Sequence, residues 1–250
     1  MHRSHYDRFW ADYLGVSTAE LNTSGTSVAE HVGLRGYSGV WCFRRNHRLV
    51  ISAPTEVVPH IRRHVESFDA ANFSAAAFYE DLFGERFERL IGPAFQGWLP
   101  AMNAQPKTGA RIEMLASESN PIVDRFRAMC AEDDWATSGL VEARQHFAAV
   151  FDGDQVVALA GYRPWTDEAG DVCMLTREDQ RKKGFAAAAA WAVVSRASRE
   201  GKLPLYQTLE SNMGAIEVSR RLGYEPYARH VAIRLLRRDR TPIGRSETSG

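Results

Sequence analysis

The strongest constraint on the fold is a short apolar run that ends in a basic turn and leads directly into a long helical segment. The run Val172–Thr176 has the length and composition of a buried strand. The turn lies within the stretch LTREDQRKKGFA, from Leu175 to Ala186. The alanine-rich segment Phe185–Arg199 predicts a helix, because alanine has the highest helix propensity. A strand that feeds such a helix needs a sheet on which the helix can pack, so the sequence predicts a mixed α/β (α+β) fold.

Strands and helices alternate through the rest of the second half. The turn Asp152–Gly153–Asp154 predicts a hairpin between the strands His146–Phe151 and Gln155–Tyr162. Asn120 followed by a proline predicts the start of a helix over Pro121–Ala131, because these side chains suit the first helical positions. The remaining predicted elements are the strands Arg111–Ala116, Leu205–Leu209 and Val231–Leu236 and the helix Met213–Leu222.

The first half of the chain predicts a smaller α/β domain. Its expected elements are the strands Val40–Arg44, Leu49–Ser52 and Phe95–Leu99 and the helices Glu56–Ser67 and Ala75–Phe83. The segment Pro100–Gly109 contains two prolines and a glycine and has little apolar pattern, which is typical of a linker. We therefore expect a first domain over residues 1–105, a second over 110–238 and a polar tail over 239–250.

Charge and cysteine content narrow the classes of function. Lys plus Arg and Asp plus Glu number 31 each, so no extended basic face for nucleic acid is expected. The cysteines Cys42, Cys130 and Cys173 form no CxxC motif, and His60 and His64 lack the glutamate of a zinc protease helix, so we expect no metal. No apolar stretch has the length of a membrane span or of a signal-peptide core, which favours a soluble cytoplasmic protein.

The basic turn has the features of an anion site. The first backbone N–H groups of a helix have no intrahelical partner and lie at the positive end of its dipole. Arg181, Lys182 and Lys183 add three cations there, and Gly184 has no side chain to keep a phosphate away from the backbone. Three adjacent cations can also form an ordinary solvated turn, but the strand–turn–helix context favours the anion site.

A family resemblance starts at this turn. Arg181-x-x-Gly184-x-Ala186 resembles the Q/R-x-x-G-x-G/A signature with which the GNAT superfamily of N-acetyltransferases cradles the pyrophosphate of coenzyme A. Downstream, Asn212, Ala215 and the run Leu222–Gly223–Tyr224 are similar to the N-x-x-A…L-G-F ending of GNAT domains. The resemblance covers about residues 110–238 and implies a GNAT fold there. The first half resembles the extra amino-terminal domain of some GNAT proteins, and a degenerate copy of the same fold is one interpretation of it.

The resemblance implies acetyl-CoA as the acyl donor, bound in a wedge between the strands Val172–Thr176 and Leu205–Leu209. A backbone N–H near Met174–Thr176 would then face the thioester oxygen. The residues expected to bind the cofactor are Met174, Leu175, Thr176, Arg181, Lys182, Lys183, Gly184, Phe185, Ala186, Asn212 and Ser219.

The proton transfers are less defined by the sequence. Many GNAT enzymes have an acidic tyrosine seven residues after the conserved Asn, and Ser219 occupies that position here. Glu210 and Asp171 flank the expected wedge and are the candidate catalytic bases, although each can also be an ordinary loop carboxylate. Trp135, Tyr162 and Trp165 are candidates for an acceptor pocket or for the core.

These features predict an N-acetyltransferase that acts on the primary amine of a small molecule or of a protein, by direct attack in a ternary complex. The alternative is a CoA-binding or sensor module with weak or no catalysis, which the missing tyrosine favours. We expect no nucleic acid and no membrane among its partners, and a homodimer is left open.

Overall fold

The computed structural model describes residues 2–116, 120–143 and 145–236 of the 250-residue chain. The described residues form eight α-helices and ten strands, which we number in chain order. The helices are α1 Arg3–Leu14, α2 Thr18–Asn22, α3 Val58–Arg63, α4 Ala76–Phe83, α5 Pro121–Ala128, α6 Glu132–Thr137, α7 Phe185–Arg199 and α8 Met213–Leu222. The strands are β1 Gly25–Glu30, β2 Gly39–Arg45, β3 Arg48–Ala53, β4 Phe87–Trp98, β5 Arg111–Met114, β6 Gln145–Asp152, β7 Gln155–Pro164, β8 Ala169–Thr176, β9 Leu203–Leu209 and β10 Glu225–Leu235. Among these helices, none combines the length and the hydrophobicity that a membrane span requires.

All ten strands belong to one mixed sheet, which confirms the predicted fold class. Their order is β1-β3-β2-β10-β4-β9-β8-β7-β6-β5. Strand β4, from the first half of the chain, lies between β9 and β10 of the second half, and β10 also pairs with β2. The two predicted halves therefore share a hydrogen-bonded sheet. The tail predicted over 239–250 lies outside the described residues.

Several element boundaries differ from the prediction because tertiary pairing sets them. Helices α7 and α8 begin and end where the sequence predicts. Strand β4 begins at Phe87 instead of Phe95, and β10 begins at Glu225 instead of Val231, because the two strands pair with each other along most of their length. The helix predicted over Glu56–Ser67 is shorter: α3 stops at Arg63 and a 3-10 turn follows.

Helix α1 was not predicted from the sequence. Tyr6, Phe9 and Trp10 are buried, and the ring of Trp10 contacts Phe43 of β2 with 4.8 Å between centroids. A buried ion pair joins Asp7 of α1 to Arg45 at 2.9 Å, and the hydroxyl of Tyr227 donates to the same carboxylate at 2.7 Å. Helix α1 is thereby fixed to β2 and β10. The sequence signal that could have predicted α1 is the i, i+3, i+4, i+7 spacing of its aromatic residues.

The segment Pro100–Gly109 contains no helix or strand, as expected of a linker, but it is docked on the second half. The side-chain amide of Asn103 donates to the carbonyl oxygens of Arg220 and Arg221, at 3.2 and 3.1 Å. Its backbone oxygen accepts from the indole of Trp191 at 3.0 Å. Asn103 thus satisfies carbonyls at the carboxyl end of α8 that have no intrahelical donor.

Helices cover both faces of the sheet around β8. Neighbouring side chains of a strand point to opposite faces, so Met174 and Thr176 share one face while Asp171 and Cys173 share the other. Met174 packs with the core that contains α7, whereas Cys173 packs with the core that contains Phe126 of α5 and Trp135 of α6. The two faces of β8 consequently lie in different surroundings.

Candidate acyl-CoA site

Strands β8 and β9 separate after a short paired stretch. Their parallel pairing covers Ala169–Asp171 against Leu203–Leu205 and goes no further. Beyond it, β8 stays paired with β7 as far as Thr176, and β9 stays paired with β4 as far as Leu209. The edges that face each other across the gap therefore carry backbone N–H and C=O groups without strand partners, and such groups need partners. This confirms the separation of strands that the resemblance implied.

The amino terminus of α7 lies at the open end of the gap. Gly184 precedes the helix with φ 86° and ψ 2°, a left-handed conformation that favours glycine, and no side chain caps the helix. The first hydrogen bond of the helix is donated by the amide of Ala188 to the carbonyl oxygen of Gly184 at 3.1 Å. In the part of the chain that the structure describes, no protein group accepts a hydrogen bond from the amides of Phe185, Ala186 or Ala187. Bare amides at the positive end of a long helix form an anion site.

A cleft of about 580 Å³ connects this helix end with β8 and α8. It is lined by nine of the eleven residues that the sequence predicted to bind the cofactor: Met174, Leu175, Thr176, Arg181, Lys182, Gly184, Phe185, Ala186 and Asn212. Their role in binding stays a prediction, but the fold brings them to one cavity.

The other two predicted residues do not line the cleft. The ammonium group of Lys183 donates to the side-chain oxygen of Gln180 at 2.7 Å. Ser219 is fully buried in α8, and its hydroxyl donates to the carbonyl of Ile216 at 2.7 Å. Because α8 turns its buried stripe toward the sheet and an adjacent stripe toward the cleft, Ser219 lies behind the residues that line the cavity.

Two polar side chains of the cleft differ in their hydrogen bonding. The hydroxyl oxygen of Thr176 is buried and has no partner, although the residue is only 8% exposed. Asn212 caps α8, because its side-chain oxygen accepts from the amide of Ala215 at 3.0 Å. An unpartnered buried hydroxyl costs free energy unless a ligand or water bonds it, so Thr176 points to an occupant of the cleft.

The cleft contains charges of both signs. Arg181 forms an ion pair with Asp134 of α6 at 2.6 Å, and Arg221 forms one with Glu217 at 3.0 Å. Among the described residues, Lys182 has no ion-pair partner. Sequence reasoning missed Asp134 and Arg221. Arg221 could have been found, because it follows Glu217 at helical spacing on α8, whereas nothing in the sequence relates Asp134 to the turn that contains Arg181.

The candidate base Asp171 is buried on the face of β8 opposite Met174 and Thr176, and it does not line the cleft. One of its carboxylate oxygens accepts from the guanidinium of Arg163, from the indole of Trp165 at 3.0 Å and from the amide of Gln207 at 2.6 Å. Burial raises the pKa of Asp171 above its ordinary value, and the neighbouring charge of Arg163 opposes that rise.

The candidate base Glu210 lies at the end of β9, outside the cleft lining. Both of its carboxylate oxygens bind the guanidinium of Arg229 on β10, at 2.5 and 2.8 Å. A bidentate pair of this kind engages both oxygens of the carboxylate in charge-assisted hydrogen bonds. Trp135 and Tyr162, which the sequence left open as pocket or core residues, are both buried.

Tyr206 is a residue of the wedge that sequence reasoning did not select. Its hydroxyl donates to the carbonyl of Ala215 at 2.7 Å and lies 4.0 Å from the sulfur of Met174. Both neighbours line the cleft. Burial raises the pKa of Tyr206 above its ordinary value, so its phenol is a weaker acid than an exposed tyrosine.

These features fit a ligand that carries a diphosphate and a chain of amides. Bare helical amides and the cations Arg181, Lys182 and Arg221 suit the diphosphate. The unpaired strand edges suit an extended chain with its own amide groups. The unpartnered hydroxyl of Thr176 requires a polar group within the cleft.

Among the comparisons with known proteins, a family match agrees with this fit. Residues 112–224, a little under half of the chain, match the model of the Acetyltransferase (GNAT) family. A search among curated proteins gives no match. Among solved structures, an acetyltransferase from the GNAT family of Colwellia psychrerythraea is 11% identical, and the match covers 79% of this chain and 81% of that chain with a TM-score of 0.47.

Two further solved structures are similar over different lengths. A GCN5-related N-acetyltransferase from Kribbella flavida is 21% identical with a TM-score of 0.44, over 60% of this chain and 58% of that chain. A GCN5-related N-acetyltransferase-like protein from Streptococcus suis is 14% identical with a TM-score of 0.43, over 94% of this chain and 100% of that chain. At these values the assignment rests on the family match, which includes both wedge strands, α7 and α8. The family match over residues 112–224 supports a GNAT-type acyltransferase domain in this part of the chain.

Proposed function

We propose that this protein is an N-acetyltransferase that transfers an acetyl group from acetyl-CoA to a primary amine of a small molecule or of a protein. The observation that carries the proposal is the wedge between β8 and β9, which opens directly onto the bare amides of α7. Bound there, acetyl-CoA would supply a thioester whose carbonyl carbon is open to attack by the amine, with loss of the thiol.

Different groups of the cleft bind different parts of acetyl-CoA. The amides of Phe185, Ala186 and Ala187 and the charges of Arg181 and Lys182 hold the diphosphate at the mouth of the wedge. The unpaired edges of β8 and β9 bind the amide groups of the pantetheine arm. This arrangement places the reactive end near the point where the strands meet.

The chain then contributes orientation and a fixed dipole. A backbone N–H in Met174–Thr176 donates to the carbonyl oxygen as negative charge develops on it. Two reactants held in the same wedge gain an effective concentration far above that in solution, which lowers the barrier without any acid or base. The amine attacks directly, so no side chain of the protein is acylated.

The three proton-transfer candidates that the sequence suggested each form other bonds. Glu210 binds Arg229, Asp171 binds Arg163, and the hydroxyl of Ser219 donates to a helical carbonyl. We therefore infer that the amine loses its proton to water and that the thiol product takes its proton from water. Turnover should rise with pH up to the pKa of the acceptor amine, because only the neutral amine attacks.

The bonded state of these proton-transfer candidates favours a second candidate function. A cleft that binds CoA tightly but offers no free acid or base would serve as a CoA-binding or sensor module with little turnover.

The test combines calorimetry with a thiol-release assay. Acetyl-CoA and CoA are titrated into the purified protein, and thiol release from acetyl-CoA is then followed with a panel of small amines and lysine peptides. Binding together with amine-dependent release supports the acetyltransferase. Tight binding without release from any amine supports the sensor module, and no binding at high micromolar CoA contradicts both.

A further inference from the structure

A row of polar side chains crosses the sheet on the face of β8 opposite Met174 and Thr176, and none of them lines the cleft. It consists of Arg163 on β7, Asp171 on β8, Gln207 on β9, Gln96 on β4 and His230 on β10, and we call it the polar row. Arg163 and Asp171 are register partners, as are Gln207 and Gln96. Five neighbouring strands are therefore connected through side chains, close to the point where β8 and β9 separate.

The hydrogen bonds of the polar row connect His230 to the carboxylate of Asp171 through Gln96 and Gln207. The amide of Gln96 donates to the oxygen of Gln207 at 3.0 Å and to the Nδ1 atom of His230 at 2.7 Å. The amide of Gln207 donates in turn to Asp171 at 2.6 Å. Since an amide NH₂ group has two protons, Gln96 can make both bonds at once. The row is thus a connected network anchored on one buried charge.

The bond between Asp171 and Gln207 spans the apex of the wedge. Asp171 is the last residue of β8 that pairs with β9, and its register partner is Leu205. Gln207 lies two residues further along β9, on the same face and past the last backbone pair. The side-chain bond thus continues the connection between the strands one step beyond the backbone, and neither of its residues lines the cleft.

This geometry does not suit a general base. One oxygen of Asp171 already accepts three hydrogen bonds, and the other is buried without a partner. Taking a proton from an amine would neutralise the buried carboxylate and weaken its bonds to three donors, and it would leave Arg163 with Glu142 as its remaining ion-pair partner. The carboxylate is built to hold donors in place.

We propose that Asp171 and Gln207 form a clamp that fixes how far β8 and β9 separate, so that Asp171 is a positioning residue of the acyl-CoA site and its carboxylate takes no proton from the acceptor. The inference rests on the proposed function, because the wedge matters only if it binds an acyl-CoA. It gives Asp171 a different role from the one expected from the sequence.

The primary test is the dissociation constant of CoA for the Gln207→Leu variant, measured by calorimetry beside the wild type. Loss of the clamp should weaken CoA binding on the order of tenfold, the scale of one hydrogen bond to a charged group. The matched control is Gln155→Leu. Gln155 is exposed at the start of β7, and its side-chain oxygen accepts a hydrogen bond from Arg177. The control should bind CoA like the wild type. Equal affinity of Gln207→Leu and wild type would overturn the clamp.

The second test separates positioning from base catalysis in the Asp171→Asn variant. As a positioning residue, Asp171 affects the KM for acyl-CoA, whereas kcat at saturation and the shape of the pH–rate profile stay close to those of the wild type. A base would instead show a loss of kcat of about 10²- to 10⁴-fold at unchanged KM, and that result would overturn the inference. If Asp171→Asn does not fold, Gln207→Leu still decides. Failure of the wild type to bind CoA contradicts the proposed function, whereas wild-type binding with an unaffected Gln207→Leu variant contradicts the clamp alone.

Discussion

The polar groups on the two faces of the wedge differ in how far they are hydrogen-bonded to other groups of the protein. On the cleft face, the amides at the start of α7 and the hydroxyl of Thr176 have no partners among the described residues. On the other face, Asp171, Gln207 and Gln96 bind one another in a continuous row. The same strands build both faces, since alternate side chains of β8 point to opposite sides.

The difference indicates which polar groups a ligand would bond and which ones connect the strands to one another. Unpartnered polar groups cost free energy in the unliganded protein, and a ligand that bonds them recovers that cost as affinity. A network of side chains that bind one another resists deformation and so keeps the adjacent cleft in shape, although single atoms of the row, such as Oδ1 of Asp171, have no partner. We therefore expect substitutions on the cleft face to change ligand affinity and substitutions on the other face to change stability and wedge geometry.

The largest effect is expected for Gly184→Glu. The substitution brings a carboxylate to the anion site and forces a side chain into a left-handed conformation, with φ 86°. CoA affinity should fall by about a hundredfold or more, which corresponds to about 2.7 kcal/mol. Calorimetry with CoA measures it.

The matched control is Gly201→Glu, at the other end of the same helix. Gly201 has φ 75° and open space around its position, so this variant carries similar backbone strain and the same added charge. It should bind CoA like the wild type. A similar loss in both variants would mean that helix destabilisation, and not the anion site, explains Gly184→Glu.

The second largest effect concerns His230 of the polar row. It tests whether water reaches this row in the folded protein. Burial lowers the pKa of His230 to about 3, so this imidazole stays neutral in the folded protein. The unfolded chain binds a proton at its ordinary pKa near 6.5, so the unfolded state holds more protons between about pH 6.5 and pH 3. Stability should therefore fall with decreasing pH in this window, by about 2 kcal/mol between pH 7 and pH 5 from His230 alone.

Denaturant unfolding gives the free energy of unfolding at pH 7 and at pH 5. The contribution of His230 is the loss between these pH values in the wild type minus the loss in His230→Gln. His31 and His146 also have lowered pKa values, so they add to the slope with the same sign in both proteins. His47→Gln, in the exposed turn between β2 and β3, should keep the pH dependence of the wild type. Equal losses of stability in wild type and His230→Gln would show that the row is hydrated.

A smaller effect is expected for Thr176→Val. Removing an unpartnered buried hydroxyl should leave stability unchanged or raise it by about 1 kcal/mol, while CoA affinity should fall about fivefold through one lost hydrogen bond. Ser198→Ala in α7 is the control, because its hydroxyl is also buried without a partner but lies outside the cleft lining. Thermal unfolding and calorimetry together check the pair. Unchanged CoA binding by Thr176→Val would remove this hydroxyl from the site.

The smallest effect is expected for Asp134→Asn. Asp134 pairs with Arg181 in a half-exposed ion pair and competes with an anionic ligand for that guanidinium. Such pairs contribute about 0.2–1 kcal/mol, so neutralising Asp134 should raise CoA affinity about twofold to fourfold. The effect should shrink at high salt, because the charges are partly exposed. A decrease in affinity would mean that Asp134 holds Arg181 in its binding position.

Much of the second half could be predicted because its signals are local. The bounds of α7 and α8 follow from alanine content, spacing and terminal glycines, and Asn120 caps α5 as expected. Nine of the eleven predicted cofactor residues line one cleft, since most of them belong to one continuous strand–turn–helix. Lys183 and Ser219 point elsewhere because side-chain direction depends on local geometry that residue type does not specify.

The sequence by itself determined the elements that depend on near neighbours: the apolar strand, the basic turn, the helix behind it and the amides that the helix start leaves without partners. Only the tertiary structure decided which strand lies beside which, because β4 enters between β9 and β10 from more than a hundred residues away. It also decided that Asp171 meets Gln207 and that Asp134 meets Arg181. Pairing between distant segments depends on the packing of the whole sheet, and no short pattern of residues encodes it.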